Sequence, residues 1–197
     1  DGNIRAVENE ILASKICRCF DCRQVLYEES MFDGQKVSKS RIITSVDYSM
    51  VSMEAFEIYA ANHDIHVMDF VLKLDAYSYY MMNLLDYLIG NTDRHWGNWG
   101  FLVDNRTNQP VRLFDLMDLN QTFLAYDTPD GANCMTTGNR KMSQREAAVE
   151  AVKNIGLNQK DEIKDEWFKG REKEREMFWC RFGILKEQKK KKKSEVA

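Results

Sequence analysis

The chain has 197 residues, 44% hydrophobic and 11% aromatic, which suits one globular domain with a sizeable core and not a disordered segment. Its formal net charge is −3, but Lys189–Lys193 supply five of its 28 basic residues, and without them 23 bases face 31 acids and the body stands at −8. A body this acidic lacks the basic footprint of a nucleic-acid binder, so no direct nucleic-acid binding is expected, and no stretch approaches the ~18 apolar residues of a membrane span.

Residues 3–20 carry Ile4, Val7, Ile11, Leu12, Ile16 and Phe20 at helical spacing and predict an amphipathic helix. Residues 24–29 and 35–45 read as extended, joined by the hairpin signal Asp33-Gly34. The serine-rich stretch from Ser38 to Ser52 reads as partly loop. A short helix is expected over 53–62 and a longer one over 67–89, with Phe70, Leu74, Tyr77, Met81, Leu84 and Leu88 on one face and Gly90 as its stop. Residues 91–98 are polar and irregular. Residues 99–103 and 111–117 then read as two strands around a turn-forming Asp104–Pro110. Loop follows over 121–142. Ser143-Gln-Arg-Glu146 is a capping box that opens a helix through Ile155, ended by Gly156. Two further helical patterns lie at about 160–168 and 171–187, and the lysine run reads as a disordered tail over 188–197.

Five cysteines, Cys17, Cys19, Cys22, Cys134 and Cys180, form an odd set without a secretory signal, so free thiols in a reducing, cytoplasmic setting are expected. Cys17-x-Cys19-x-x-Cys22 has no second ligand cluster to complete a tetrahedral zinc site. The chain opens on Asp1-Gly2-Asn3 with no initiator methionine, and is expected to start inside a larger protein.

The chemistry concentrates in Asn91-Thr92-Asp93-Arg94-His95-Trp96-Gly97-Asn98, directly after the long helix. Phosphoryl transfer needs a carboxylate or imidazole to orient the attacking hydroxyl, oxygen ligands for Mg²⁺ and positive charge on the phosphates. In protein kinases the catalytic aspartate precedes the metal-binding asparagine by five residues; Asp93 precedes Asn98 by the same five. A strand out and a strand back return the chain toward Asn98 near 115–118, where either Asp115 or Asp118 offers the further carboxylate that a hard cation prefers. The bland alternative is a capping loop, with Asp93 closing a turn and His95 a surface histidine. Arg94 is expected to pair with a neighbouring acid, and Trp96 and Trp99 to pack the loop onto the core.

The order Asp93-Arg94-His95-x-x-Asn98 resembles that of phosphatidylinositol kinases and of bacterial HipA-like kinases, from about Glu8 to Leu185, most specifically over Gly90–Gly100 and Leu116-Met-Asp-Leu-Asn120. The resemblance implies an α+β, protein-kinase-like fold over 1–187, N-terminally truncated, with 1–50 a remnant of the small lobe and 51–187 a mainly helical large lobe. It implies ATP and Mg²⁺ as cofactors, Asp93 and His95 as catalytic residues, and Asn98 and Asp118 as metal ligands, favouring Asp118 over Asp115. Asn9-Glu10-Ile-Leu-Ala-Ser-Lys15 looks like the small-lobe helix of HipA-like kinases, which implies that Glu10 holds the lysine gripping the ATP phosphates. That lysine and the phosphate-covering loop are expected upstream, and the chain starts nine residues before Glu10. The expected activity is transfer of a phosphoryl group to a protein serine or threonine. Competing readings are a lipid kinase, a non-catalytic pseudokinase-like module and a metal-dependent phosphohydrolase. Residues 84–156 look most like stand-alone HipA-domain proteins, and an antitoxin-like protein partner stays open.

Overall fold

The computed structural model describes residues 2–137 and 141–195. The first helix, α1 (Gly2–Cys17), is buried over most of its circumference from Asn9 onward. Its burial is wider than the single apolar face the sequence suggests: polar Asn9, Glu10 and Ser14 are buried along with Ile11, Leu12, Ala13 and Ile16. The strands β1 (Glu28–Phe32) and β2 (Gln35–Lys39) form a separate two-stranded antiparallel sheet against α1. Their turn is Asp33-Gly34, at φ 49° and 73°, and positive φ at both central positions matches the right-handed twist of a tight hairpin.

A second sheet has the antiparallel order β3 (Tyr48–Ser52), β4 (Gly100–Asp104), β5 (Gln109–Leu113). β3 lies where the sequence suggests partly loop, and tertiary pairing makes it a strand. Gly100 admits this neighbour: a Cβ there would overlap the Val51 carbonyl and Ser52 Cα. Helix α2 (Met53–Ala61) starts at once, with Ser52 Oγ accepting from the Ala55 N–H at 3.2 Å.

The long helix α3 (Val67–Ile89) has the expected bounds but bends at Asp75, whose φ/ψ of −155°/63° is not helical. The bend frees the Asp75 carboxylate to accept from the Ser78 N–H at 3.2 Å, the Leu113 N–H at 3.1 Å and Arg23 at 2.6 Å. Every residue from Met81 to Ile89 is buried, and this half of α3 packs against α4 (Gln144–Ile155) at the centre of the core. The capping box at Ser143 and Glu146 is formed. Helix α5 (Glu172–Glu195) closes the core with Phe178, Phe182 and Leu185.

Three sequence expectations need correcting. β5 ends at Leu113, short of Met117: the Phe114 N–H still donates to the Gly100 carbonyl of β4 at 2.9 Å, and the chain then leaves β4 and pairs at Leu116 with residues 23–25, the Val25 N–H donating to the Leu116 carbonyl at 2.9 Å and the Leu116 N–H to the Arg23 carbonyl at 3.0 Å. The pattern at 160–168 yields only a 3₁₀ turn, Asp165–Phe168, since the preceding backbone is used elsewhere, with the Lys160 N–H donating to the Cys19 carbonyl. Helix α5 continues through the lysine run, where a disordered tail is expected. All five cysteines are free, and among the described residues no helix is long and apolar enough to cross a membrane.

Gly90 is where α3 must stop. It sits at φ 61°, and an added Cβ would overlap the Tyr126 ring. Gly90→Ala combines left-handed strain with that overlap, so it is expected to cost about 2–4 kcal/mol and to lower the unfolding midpoint by about 5–12 °C in a thermal melt.

Candidate active site

The loop that follows Gly90 is fixed from within by one buried ion pair. Arg94 is 3% exposed and grips Asp86 of α3 with two bonds, Nε to Oδ2 at 2.9 Å and Nη2 to Oδ1 at 3.0 Å. Burial opposes the guanidinium's charge, and Asp86 more than restores it, holding Arg94 above its ordinary value. The remaining nitrogen, Nη1, donates to the Asn98 carbonyl and to the Met117 carbonyl, both at 2.7 Å. One side chain thus ties the far end of the loop and the segment before Asp118 to the core helix. Asn91 adds to the anchor: its Nδ2 donates to Asp86 Oδ1 at 3.0 Å, and its carbonyl accepts from Gln144 Nε2 of α4 at 2.5 Å.

On this anchor the loop turns tightly. The Asp93 N–H donates to Asn91 Oδ1 at 3.1 Å. Asn98 Nδ2 donates to the Asp93 carbonyl at 2.9 Å and to its carboxylate Oδ2 at 3.3 Å. The Asn98 amide oxygen has no protein partner among the described residues. His95 Nδ1 accepts from the Gly97 N–H at 3.0 Å, so a neutral ring carries its proton on Nε2, which lies 3.9 Å from Asp93 Oδ1. Asp93 and His95 keep 43% and 49% of their side chains exposed, so a substrate can reach them. Trp96 and Trp99 pack the loop inward, Trp96 donating its indole N–H to the Met135 carbonyl at 3.1 Å.

Asp118 lies across from this turn. Its carboxyl is raised above the ordinary value, first by burial and then by facing Asp93, while Arg94 and His95 pull the other way. It has no ion-pair partner among the described residues. Asp115 is placed differently: it is bound to Arg112 at 2.5 Å and, with Arg94 and Asn98, lines a cavity of about 200 Å³ beneath the loop that Asp93, His95 and Asp118 do not line. Glu10 is 7% exposed and lies beside Asp118. Its Oε1 accepts from the Leu119 N–H at 3.4 Å and its Oε2 from the Ser38 hydroxyl at 2.5 Å. Burial, and to a lesser degree Asp118, raises it.

The structure therefore sets Asp93 beside Asn98, His95 and Asp118, sets Glu10 beside Asp118, and binds Asp115 to a basic partner. No group of three or more His, Cys, Asp and Glu side chains among the described residues is arranged as a metal cage. One free carboxylate, one amide oxygen and a second carboxylate nearby are instead a sparse oxygen set, which suits Mg²⁺, a cation that takes few protein ligands and completes its shell with phosphates and water. Sequence reasoning did not find Tyr27, whose hydroxyl accepts from the Asp118 N–H at 3.1 Å, or Ser38 and Gln144. These contacts join positions far apart in the chain, and no local spacing signals them.

Neither a protein-family model nor a curated protein sequence matches the chain. Its fold is similar to that in the crystal structure of a Helicobacter pylori proinflammatory kinase, CtkA, with a TM-score of 0.67 and 14% identity, over 98% of this chain and 84% of that one. At that identity the likeness is one of fold, and the fold is kinase-like.

A stability test follows from the raised carboxyl of Asp118. Below its unfolded-state value, about 4, the group is protonated in both states. Above it, the folded state must ionise a half-buried acid facing Asp93, so stability is lost as pH rises through the folded value. Asp118→Asn removes that cost, and asparagine tolerates the left-handed backbone at this position, φ 54°. Melts of both proteins between pH 4 and 8 are expected to show the variant more stable at pH 7–8, the difference shrinking toward zero at about pH 4.

Proposed function

We propose that the chain is the helical lobe, with part of the small lobe, of an ATP- and Mg²⁺-dependent phosphotransferase, a protein serine/threonine kinase of HipA-like type. The observation that carries this reading is the convergence around Arg94: the loop end at Asn98, which holds Asp93, and the Asp118 segment, separated in sequence, are tied together by one guanidinium. The kinase-like fold supports it.

In this reading Asp93, exposed and hydrogen-bonded by Asn98, accepts the proton of the attacking hydroxyl and aligns it with the γ-phosphorus. His95 presents its Nε2–H beside Asp93, where it steadies the carboxylate or donates to a transferring phosphoryl oxygen. Asn98, its amide nitrogen committed to Asp93, and Asp118, in no ion pair among the described residues, are the residues that would hold Mg²⁺. Bound there, the cation would neutralise phosphate charge and orient the γ-phosphoryl group. Asp118 is favoured over Asp115 because Asp115 is already neutralised by Arg112. A protein acceptor is favoured over a lipid by the HipA-like resemblance alone.

One observation supports a second reading, a non-catalytic nucleotide- or partner-binding module. Glu10, the acid assigned to hold the phosphate-gripping lysine, bonds Ser38 and the Leu119 amide instead.

The test is phosphoryl transfer from labelled ATP to casein by the protein. Asp93→Asn is expected to lower turnover about 10³-fold while the melting point stays put; turnover like that of the wild type rejects the assignment. Asp118→Ala is expected to abolish Mg²⁺-dependent nucleotide binding in calorimetry and Asp115→Ala to spare it; the reverse result moves the metal to Asp115. Nucleotide binding without transfer selects the second reading.

A further inference from the structure

Asp118 stands at φ 54°, a left-handed conformation that a non-glycine residue holds only when its surroundings impose it. Three side chains from three separate stretches of the chain impose it, one on each of three consecutive residues. Arg94 Nη1 donates to the Met117 carbonyl at 2.7 Å, Tyr27 accepts from the Asp118 N–H at 3.1 Å, and Glu10 accepts from the Leu119 N–H at 3.4 Å. Arg94 and Glu10 belong to motifs already read. Tyr27 belongs to none, and nothing in the transfer chemistry uses it.

Tyr27 is itself braced. Its N–H donates to Ser14 Oγ of α1 at 3.1 Å; the Ser14 hydroxyl donates to Gln24 Oε1 at 3.2 Å, and Gln24 Nε2 returns to the Ser14 carbonyl at 3.3 Å. Ser14 and Gln24 are 1% and 8% exposed, so the brace lies inside the core. Two residues upstream, Val25 bonds the Leu116 carbonyl, which fixes the same stretch of chain against the Asp118 segment. The phenol is pushed up to about 12, chiefly by burial, with Glu10 and Asp118 adding to the rise against the lowering effect of the Asp118 amide. It stays a neutral hydroxyl over the working range of pH.

We propose that Tyr27 is a positioning residue of this site, its hydroxyl holding Asp118 in the left-handed conformation that aims the carboxylate toward the cation position beside Asn98. The proposal rests on the phosphotransferase reading above. Phenylalanine at position 27 keeps the ring and removes the acceptor. The Asp118 amide then loses its partner, and the aspartate is released toward the ordinary negative-φ region.

The test compares Tyr27→Phe with Tyr77→Phe. Tyr77 also loses a hydroxyl bound to backbone, the Asp21 carbonyl at 2.9 Å, which is not part of the Asp118 segment. Amide exchange followed by NMR on the 197-residue chain is expected to speed up about 3–10-fold at Asp118 and Leu119 in Tyr27→Phe and not in Tyr77→Phe. Mn²⁺, as the metal probe, is followed by electron paramagnetic resonance on the protein with ADP present. Its dissociation constant is expected to rise about 3–10-fold in Tyr27→Phe alone. Unchanged exchange at Asp118, or faster exchange with unchanged Mn²⁺ affinity, overturns the positioning role. A wild type that holds Mn²⁺ yet transfers nothing overturns the phosphotransferase reading and not this one; a wild type without Mn²⁺ affinity overturns both.

Discussion

The candidate site depends on a buried charge pair beneath its loop. Arg94 and Asp86, both 3% exposed, sit below the loop, and the fork of the guanidinium spends two of its three nitrogens on the carboxylate. The third reaches two backbone carbonyls from segments nineteen residues apart, at Asn98 and Met117. Lysine has the charge but not this geometry, because a point ammonium cannot match a planar carboxylate and two carbonyls at fixed angles. Losing either partner would strand a charge in the core, a cost of about 3–5 kcal/mol. The loop is therefore irregular in outline yet held like an extension of α3.

This anchoring links the core to the chemistry. The half of α3 that carries Asp86 is buried on every side, and α4 reaches the same loop through Gln144 and Asn91. Asp93 and His95 project from that support into solvent, with the Asn98 amide bridging back to Asp93. The arrangement separates rigid from exposed: the residues that set geometry are buried, and the residues that would meet a substrate are half open.

Local signals were readable. The 3.6-residue period gave α3 its bounds, Asp33-Gly34 its turn, Ser143 and Glu146 their cap, and Arg94 was expected to pair with an acid. Non-local signals were not. β3 is a strand because β4 pairs with it, in a serine-rich stretch without clear alternation. The departure of the chain from β4 after Phe114, toward 23–25, could not be read from a hairpin pattern, and it is this departure that brings Asp118 to Tyr27 and Glu10 and leaves Asp115 with Arg112. Spacing alone left both aspartates open, since it says nothing of which carboxylate has found a cation.

The left-handed backbone at Asp118 restricts what can replace it. Asparagine and glycine accept that conformation, and both also relieve the burial of a charge, whereas alanine or a branched side chain strains the turn. The substitutions the fold welcomes are thus those that erase the carboxylate. Under the phosphotransferase reading proposed above, a lineage carrying this architecture would lose its activity by a step that makes the protein sturdier, and only selection on that activity would keep the acid in place.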